Sequence, residues 1–254
     1  MSIVRGTSLF EQEDYTLTDS LAIVIPTYNE EKRLAATLRS IIAYTEHQHY
    51  NTQILVVDDG SRDKTQQVFL ELAQEFPQAR LKFVKNTANH GKGYVVRQGM
   101  LQASGDYIFF TDADLSTPIP EIEKLLKALK SGADVAIGSR AVDRSLVKKH
   151  QPWFREFAGR LFNFAVRVWA VRGIKDTQCG FKGFTAAAAK KIFTKQRLDS
   201  FIFDVEVLYI ARKSKLKVVE IPVEWVNNED TRFAPNLSNF LLMWKELFRV
   251  RFLK

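Results

Sequence analysis

The chain has 254 residues, of which 46% are hydrophobic and 26% charged, and its formal net charge is +8. This composition excludes an intrinsically disordered chain, and the positive charge favours an anionic partner such as a phosphorylated substrate, a nucleic acid or a membrane surface. Cys179 is the single cysteine, which excludes an internal disulfide, and no run of about 18 apolar residues predicts a transmembrane helix.

Short apolar segments alternate with helical segments through the first half of the chain. Strands are predicted at LAIVI, QILVVDD, LKFV, YIFFTDAD and DVAIGSR, in that order. Helices are predicted between them, over about Glu31–Thr45 and within SRDKTQQVFLELAQEF, YVVRQGMLQA and PIPEIEKLLKALKSG. This alternation predicts an α/β fold with a mostly parallel sheet flanked by helices.

Polar clusters accompany the ends of the five predicted strands: PTYNE, DDGSRD, NHGKG, TDAD and GSR. Because the carboxyl ends of parallel strands meet at one edge, where ligands bind in such sheets, we expect these clusters to form one site. Each cluster taken singly is also typical of a turn or a helix start. Neither GxGxxG nor GxxxxGK[ST] is present, so the sequence indicates neither a dinucleotide site nor a P-loop.

The cluster TDAD places Asp112 and Asp114 at the end of a strand with only Ala113 between them. Two carboxylates this close repel each other unless a cation lies between them, and hard divalent cations prefer oxygen ligands. These residues alone therefore predict either a metal site or an ordinary turn.

The order IPTYNEE, VVDDGSRDKT, NHGKG, TDADLS and GSR resembles the family 2 glycosyltransferases of GT-A (Rossmann-like) fold. Further on, IKDTQCGFKGF and FDVEVLYIA are similar to the branch of dolichyl-phosphate or polyprenyl-phosphate β-glucosyltransferases. The resemblance covers roughly Leu21 to Trp225. It implies an inverting transfer of glucose from UDP-glucose to a polyprenyl phosphate, with Mg2+ or Mn2+ as the cofactor.

The resemblance also implies roles for individual residues. The nucleotide sugar would be held by Pro26, Tyr28, Glu30, Asp58, Asp59, Lys92, Asp112 and Ala113. Asp114, together with Asp112, would bind the cation that bridges the two donor phosphates. The catalytic group would comprise Asp176, Asp204, Arg140 and Gln178. One of the two aspartates would orient the sugar or the attacking phosphate, and a buried helix cap is the structural alternative for either.

The acceptor phosphate would be contacted by Arg140 and Arg232, although Arg140 is equally compatible with a surface position. Around Arg232 the sequence reads NNEDTRFAP, where the branch usually has a short Gly-Ser-Lys/Arg segment. We expect an N-terminal extension at 1–20, the GT-A domain at 21–230 and a C-terminal amphipathic helix at 231–254.

Two segments, around Pro152–Arg172 and Asn239–Lys254, combine large aromatic residues with arginine and lysine. This composition is typical of helices that lie in a membrane interface, although such helices also pack on a core or form contacts between subunits. Together with the implied lipid acceptor, this composition predicts a cytoplasmic protein that is bound peripherally to the cytoplasmic face of a membrane.

Several alternatives remain open at this point. The same chemistry would serve GDP-mannose as donor, or another lipid or glycan as acceptor. A non-catalytic sensor of nucleotide sugars is disfavoured by the intact TDAD. No nucleic-acid partner is predicted, because nothing in the sequence resembles a known nucleic-acid-binding module. The oligomeric state is not predicted.

Overall fold

The computed structural model describes residues 19–149, 163–227 and 237–252. Its strands are β1 (Ser20–Thr27), β2 (Asn51–Asp58), β3 (Arg80–Lys85), β4 (Tyr107–Thr111), β5 (Val135–Ser139), β6 (Val147–Lys149), β7 (Phe181–Thr185), β8 (Val218–Pro222) and β9 (Trp225–Val226). Seven of them form one sheet in the order β3-β2-β1-β4-β7-β5-β8, and β6 pairs with β9 separately.

The helices are α1 (Leu34–Thr45), α2 (Thr65–Glu75), α3 (Lys92–Gln102), α4 (Ile122–Lys130), α5 (163–169), α6 (Ala186–Phe193), α7 (Phe203–Lys213) and α8 (Leu237–Val250). One apolar cluster joins the sheet to α3 and α5–α8, and a second joins the opposite face to α1, α2 and α4. Successive residues of β1 alternate between the clusters, with Val24 in the first and Ile23 and Ile25 in the second. Burial on both faces explains why the strands read as continuous apolar runs.

Strand direction places the five predicted loops together. β1 is parallel to β2 and β4, β2 is parallel to β3, and β7 runs antiparallel between β4 and β5. Because two antiparallel steps restore the direction, β5 points the same way as β4. The carboxyl ends of β1 to β5 therefore lie at one edge of the sheet, here called the rim. The predicted α/β fold and the common edge are both confirmed.

Element boundaries differ locally from the predictions. The first helix begins at Leu34 instead of about Glu31, because residues 31–33 form a turn in which the Glu30 carbonyl accepts from the backbone NH groups of Arg33 and Leu34. β4 ends at Thr111, before the aspartate pair. The division into an extension, a GT-A domain and a C-terminal helix stays a prediction; within the described residues, β1 begins at Ser20 and α8 at Leu237.

Candidate active site

The loops after β1 and β2 are hydrogen-bonded to each other. Ser61 Oγ accepts from the Asn29 backbone NH at 2.7 Å, and the Asn29 side chain accepts from the Arg62 NH at 2.8 Å. Asn29 has a φ of +55°, a left-handed conformation that asparagine tolerates better than most residues. These bonds hold the loop that contains Tyr28 and Glu30 at the rim, directly after the end of β1, where Pro26 lies; all three are predicted nucleotide-sugar residues.

Asp58 and Asp59 are buried, and their carboxylates hold loop backbone. Asp58 accepts from the backbone NH of Ser61 at 3.0 Å and from its hydroxyl. Asp59 accepts from the NH groups of His90 and Gly91 at 2.9 and 2.8 Å, which ties the NHGKG loop to the end of β2. The two aspartates therefore shape the rim, and their contact with the nucleotide sugar stays a prediction.

An open cavity of about 420 Å3 lies between the ends of β2 and β3. Its volume is within the range of roughly 300–1,000 Å3 that is usual for small-molecule sites. It is lined by Gly60, Ser61, Arg62, Lys85, Asn86 and Thr87. The two cations and the polar groups on its walls suit a polar, anionic ligand.

Lys92 contacts the first aspartate of TDAD. Its ammonium lies 2.6 Å from an Asp112 carboxylate oxygen. Burial by itself lowers the pKa of the Lys92 ammonium, but the carboxylates of Asp112 and Asp204 outweigh burial and raise the pKa above its usual value. The lysine is therefore charged, and it already neutralises Asp112 at the rim.

Asp114 is engaged differently from Asp112. Its carboxylate accepts from the Ser116 backbone NH at 3.0 Å, and the intervening Leu115 has a φ of +46°. Asp114 therefore shapes the turn through one carboxylate oxygen, whereas Asp112 faces the Lys92 ammonium, and the metal role of both aspartates stays a prediction. Gly180 packs directly on Asp112, since a Cβ at position 180 would lie 2.1 Å from the Asp112 carboxylate. Glycine at this position keeps the loop before β7 close to the aspartate pair.

Asp112 and Asp114 are the carboxylates predicted to bind a divalent cation. In the described part of the chain, no three histidine, cysteine or acidic side chains are arranged to hold a metal ion. Mg2+ is usually bound by one or two carboxylates together with substrate phosphates and water. Asp112 and Asp114 match that ligand set, because a diphosphate would complete it.

Arg140 and Asp176 form a bidentate pair beside the aspartates. Arg140 Nε and Nη2 donate to the two Asp176 oxygens at 2.7 and 2.9 Å, and the Arg140 backbone NH donates at 3.0 Å. Burial of the Asp176 carboxyl raises its pKa, but the guanidinium outweighs burial and lowers the pKa to about 2. In this structure Asp176 is bound to the guanidinium and positions it.

The first turn of α7 presents Asp204 to a lysine buried within the sheet. Lys182 Nζ lies 2.5 Å from an Asp204 oxygen and 2.5 Å from the Cys179 carbonyl, and its side chain is 0% exposed. Burial raises the pKa of the Asp204 carboxyl above its usual value, and the charges of Lys182 and Lys92 offset only part of that rise. Lys182 was not among the predicted site residues; its signal in the sequence is a charge within the apolar strand FKGF.

Gln178 and Cys179 lie in the loop that precedes β7. The Gln178 backbone NH donates to Asp176 at 3.3 Å, and its side chain is half-buried. Burial raises the pKa of the Cys179 thiol to about 11, so the thiol is protonated at neutral pH. A protonated, buried thiol is a packing group and a poor nucleophile.

Trp225 is a second residue that the sequence reasoning missed. Its ring faces the Arg140 guanidinium at 5.4 Å, and it borders a narrow gap with Thr111, Asp112, Ser116, Thr117 and Gly180. The backbone NH of Val226 donates to the Ser116 carbonyl at 2.8 Å, which joins β9 to the TDAD loop. Asp112 therefore lines this gap, and Arg140 lies against the Trp225 ring that forms another of its walls. Arg232, the second predicted phosphate ligand, lies outside the described residues.

Exposed apolar side chains lie on and beside α5 and α8. This aromatic patch consists of Phe164, Val168, Phe248 and Phe252, whose exposed fractions are 61%, 57%, 49% and 75%. Trp169 packs edge-on against Phe248 at 5.2 Å, and Arg251 lies over Trp169 at 5.1 Å. Across the described ranges, no helix has the length and apolar character needed to span a membrane. Residues 152–162 of the first predicted interfacial segment lie outside the description.

Comparison with known proteins gives consistent matches. Residues 22–193 match the model of glycosyl transferase family 2. The chain is 36% identical over 245 residues to the dolichyl-phosphate beta-glucosyltransferase of Homo sapiens, covering 92% of this chain and 75% of that protein. It is 37% identical over 241 residues to the enzyme of the same name from Drosophila melanogaster, covering 91% and 74%.

The fold also matches a solved structure. Glucosyl-3-phosphoglycerate synthase from Mycobacterium tuberculosis, in complex with Mn2+, UDP and glucosyl-3-phosphoglycerate, superposes with a TM-score of 0.66 at 16% identity. The match covers 92% of this chain and 78% of that one. At this identity the likeness concerns the fold, and it agrees with the predicted GT-A architecture.

Proposed function

Because this chain belongs to glycosyl transferase family 2, we propose that it transfers glucose from UDP-glucose to a polyprenyl phosphate of the dolichyl type. The observation that carries the proposal is the gap lined by Asp112 and Trp225, with Arg140 facing the Trp225 ring, because this arrangement would bring a metal-bound diphosphate next to a second phosphate. The names of the relatives support glucose as the sugar and dolichyl phosphate as the acceptor.

On the donor side, the cavity between β2 and β3 would receive the nucleotide. Asp112 and Asp114 would hold Mg2+ or Mn2+ against the diphosphate. When bound, the cation would neutralise the charge that develops on the departing UDP. Lys92, at the start of α3, supplies a further positive charge on the same side.

On the acceptor side, Arg140 would bind the lipid phosphate. Asp176 accepts from Nε and Nη2. The N–H groups of Nη1 and the second N–H of Nη2 therefore remain for another ligand. Arginine binds phosphate through such a planar edge, and the fixed orientation lowers the entropic cost of alignment. Gln178 lies beside this group, within reach of a polar contact to sugar or phosphate.

The proposed chemistry requires little general-base assistance. A phosphate monoester oxygen is already ionised near neutral pH, so it attacks the anomeric carbon without losing a proton to the protein. The bond from that carbon to the donor diphosphate breaks as the new bond forms on the opposite face, which gives a β-linked product from an α-linked donor. Asp204, held by Lys182, would therefore act as a fixed countercharge and orienting group instead of as a base.

A lipid acceptor requires access to a membrane surface. The aromatic patch, with Arg249 and Arg251 beside it, has the composition of an interfacial element. We infer that this patch contacts the membrane and that the protein works on the cytoplasmic face.

The function is tested by incubating purified protein with Mg2+, a short-chain polyprenyl phosphate and a panel of nucleotide sugars. Mass spectrometry of the lipid fraction identifies the sugar and the acceptor. Glucosyl lipid from UDP-glucose supports the proposal. A lipid product from GDP-mannose alone would replace the donor assignment, and sugar found only on a non-lipid acceptor would replace the acceptor assignment.

A further inference from the structure

Four charged side chains alternate in sign from the interior of the sheet to the rim. Lys182 contacts Asp204 at 2.5 Å, Asp204 lies within electrostatic range of Lys92, and Lys92 contacts Asp112 at 2.6 Å. Lys182 and Asp204 are buried, and Lys92 is about one-fifth exposed. The ammonium of Lys92 therefore occupies the side of Asp112 on which a cation would otherwise be attracted.

The backbone that carries Lys92 has little freedom to move. A Cβ at Gly91 would lie 2.4 Å from the Asp199 carbonyl oxygen, and one at Gly93 would lie 2.3 Å from that of Leu198. The Gly93 NH donates to the Asp199 carbonyl at 2.7 Å. These contacts fix the start of α3 against the loop before α7. The Lys92 ammonium, at the end of a flexible four-carbon chain, is the part that can change its partner.

We propose that Lys92 is an internal counter-ion that holds Asp112 until the donor binds and then moves to the donor diphosphate. This inference rests on the proposed function, because it needs an anionic diphosphate at the rim. A divalent cation arriving alone would have to displace the ammonium from Asp112 or remain close to a like charge. A diphosphate removes that obstacle, because it offers Lys92 new oxygen partners.

Cation and nucleotide should therefore bind cooperatively, with the cation bound weakly by itself. By thermodynamic linkage, UDP raises the affinity for the cation by the same factor by which the cation raises the affinity for UDP. Direct coordination of phosphate by the metal contributes part of this factor in any such site. The displacement of Lys92 from Asp112 contributes the rest of this factor. Substituting the lysine should therefore remove that contribution and leave the one from direct coordination.

The test is a titration with Mn2+ in which free Mn2+ is measured by electron paramagnetic resonance, with and without saturating UDP. Wild type is compared with Lys92→Met and with Lys130→Met. The Lys130 control removes the same charge from an ion pair with Asp19, before β1 and at the opposite end of the strands from the rim. Thermal melting of each variant verifies that it is folded, and Lys92→Gln replaces Lys92→Met if the latter is not.

Without UDP, Lys92→Met should bind Mn2+ about tenfold more tightly than wild type, within the usual range of coupling energies. The gain in Mn2+ affinity on adding UDP should be smaller in Lys92→Met than in wild type, and Lys130→Met should behave as wild type. An unchanged Mn2+ affinity in Lys92→Met without UDP would overturn the proposal. The proposal would also be overturned if Lys92→Met raised the Mn2+ affinity by the same factor with and without UDP. A simple electrostatic effect of the lysine charge would give that result, because it leaves the coupling between Mn2+ and UDP unchanged.

The result can be separated from the donor assignment. The titration without nucleotide decides whether Lys92 competes with the cation, whichever nucleotide the protein uses. A protein that shows the Lys92 effect but makes no glucosyl lipid would overturn the proposed function and leave this inference in place.

Discussion

Asp176 holds the Arg140 guanidinium along its Nε–Nη2 edge, and Trp225 faces the same guanidinium at 5.4 Å. The pair joins the end of β5 to the loop before β7 across 36 residues of sequence. Its carboxylate is almost fully buried, whereas the arginine side chain is 31% exposed. The arginine thus reaches solvent at the rim with its orientation fixed from behind.

Replacing Asp176 by Asn should destabilise the fold, because Arg140 would lose its countercharge in a largely buried position. Since the pKa of Asp176 is lowered to about 2, the ion pair should contribute about 2 kcal/mol to the free energy of unfolding at neutral pH. A lowered carboxyl pKa stabilises the folded state above the unfolded pKa and ceases to do so as pH falls through the folded value. The difference between wild type and Asp176→Asn should therefore be constant from pH 8 to about 5 and shrink from about pH 4 toward 2.

Urea denaturation at a series of pH values measures this difference. A stability difference that stays constant down to about pH 2 would show that the Asp176 charge is not its source.

Arg140→Lys keeps the charge but loses the bidentate geometry, so binding of the acceptor phosphate should weaken. We expect KM for short-chain polyprenyl phosphate to rise about tenfold while KM for UDP-glucose changes little. Arg39→Lys is a matched control, because Arg39 forms an equally bidentate pair with Glu75 on an exposed surface. If KM for UDP-glucose rises and KM for the lipid does not, Arg140 belongs to the donor side.

Asp114→Asn should abolish most transfer while leaving the fold intact. The amide oxygen can still accept from the Ser116 NH, so the turn is retained, but a metal ligand is lost. The expected loss in kcat/KM is at least about a hundredfold, which is roughly 3 kcal/mol in the barrier. Asp143→Asn is the control, since Asp143 makes the same 3.0 Å contact with Ser145 in another loop.

Turnover should also fall in EDTA and return when Mg2+ or Mn2+ is added. Turnover by Asp114→Asn at the wild-type rate, or turnover that is unaffected by excess EDTA, contradicts a metal role for the aspartate pair.

The aromatic patch should bind anionic membranes. Arg249→Gln combined with Arg251→Gln should weaken sedimentation with vesicles that contain phosphatidylserine, because each cation near such a surface contributes about 1 kcal/mol. Binding of wild type should also weaken as salt rises, since screening acts over about 8 Å at physiological ionic strength. Transfer to a short, water-soluble acceptor should change little.

Arg80→Gln combined with Lys82→Gln is the control. It removes the same charge from β3, an edge strand of the sheet that contributes no residue to the aromatic patch. This control should sediment as wild type does. A double arginine variant that binds vesicles normally would exclude α8 as a membrane contact. A lower melting temperature, with a loss of both vesicle binding and transfer to the short acceptor, would instead indicate that these arginines stabilise packing. The contact of Arg251 with Trp169 is consistent with that outcome.

Much of the rim was predictable from sequence because each polar cluster lies at or shortly after the carboxyl end of a predicted strand. Parallel strand direction then brings Asp58, Asp112 and Arg140 to one edge without any knowledge of side-chain contacts. The fold class was predictable for the same reason, because the alternation of short apolar strands and helices is also a local pattern.

The pairings across the rim were not predictable in this way. Asp176 pairs with Arg140, and Asp204 pairs with Lys182, because β7 is inserted antiparallel between β4 and β5. The strand FKGFT contains a lysine and a glycine and follows no helix with a clear period, so local pattern does not identify it. Trp225 was missed because it reaches the site from a two-residue strand, β9.

The most direct test of the proposed function is a competition between donors in one reaction. Equal concentrations of UDP-glucose carrying uniformly 13C-labelled glucose and of unlabelled GDP-mannose are incubated with the protein, Mg2+ and a short-chain polyprenyl phosphate. Because glucose and mannose have the same mass, the isotope identifies the donor by mass spectrometry of the lipid product. We predict that labelled hexosyl lipid predominates and that Asp114→Asn does not form it. Predominantly unlabelled lipid would contradict the assignment of UDP-glucose, and a complete absence of hexosyl lipid would contradict transfer to polyprenyl phosphate.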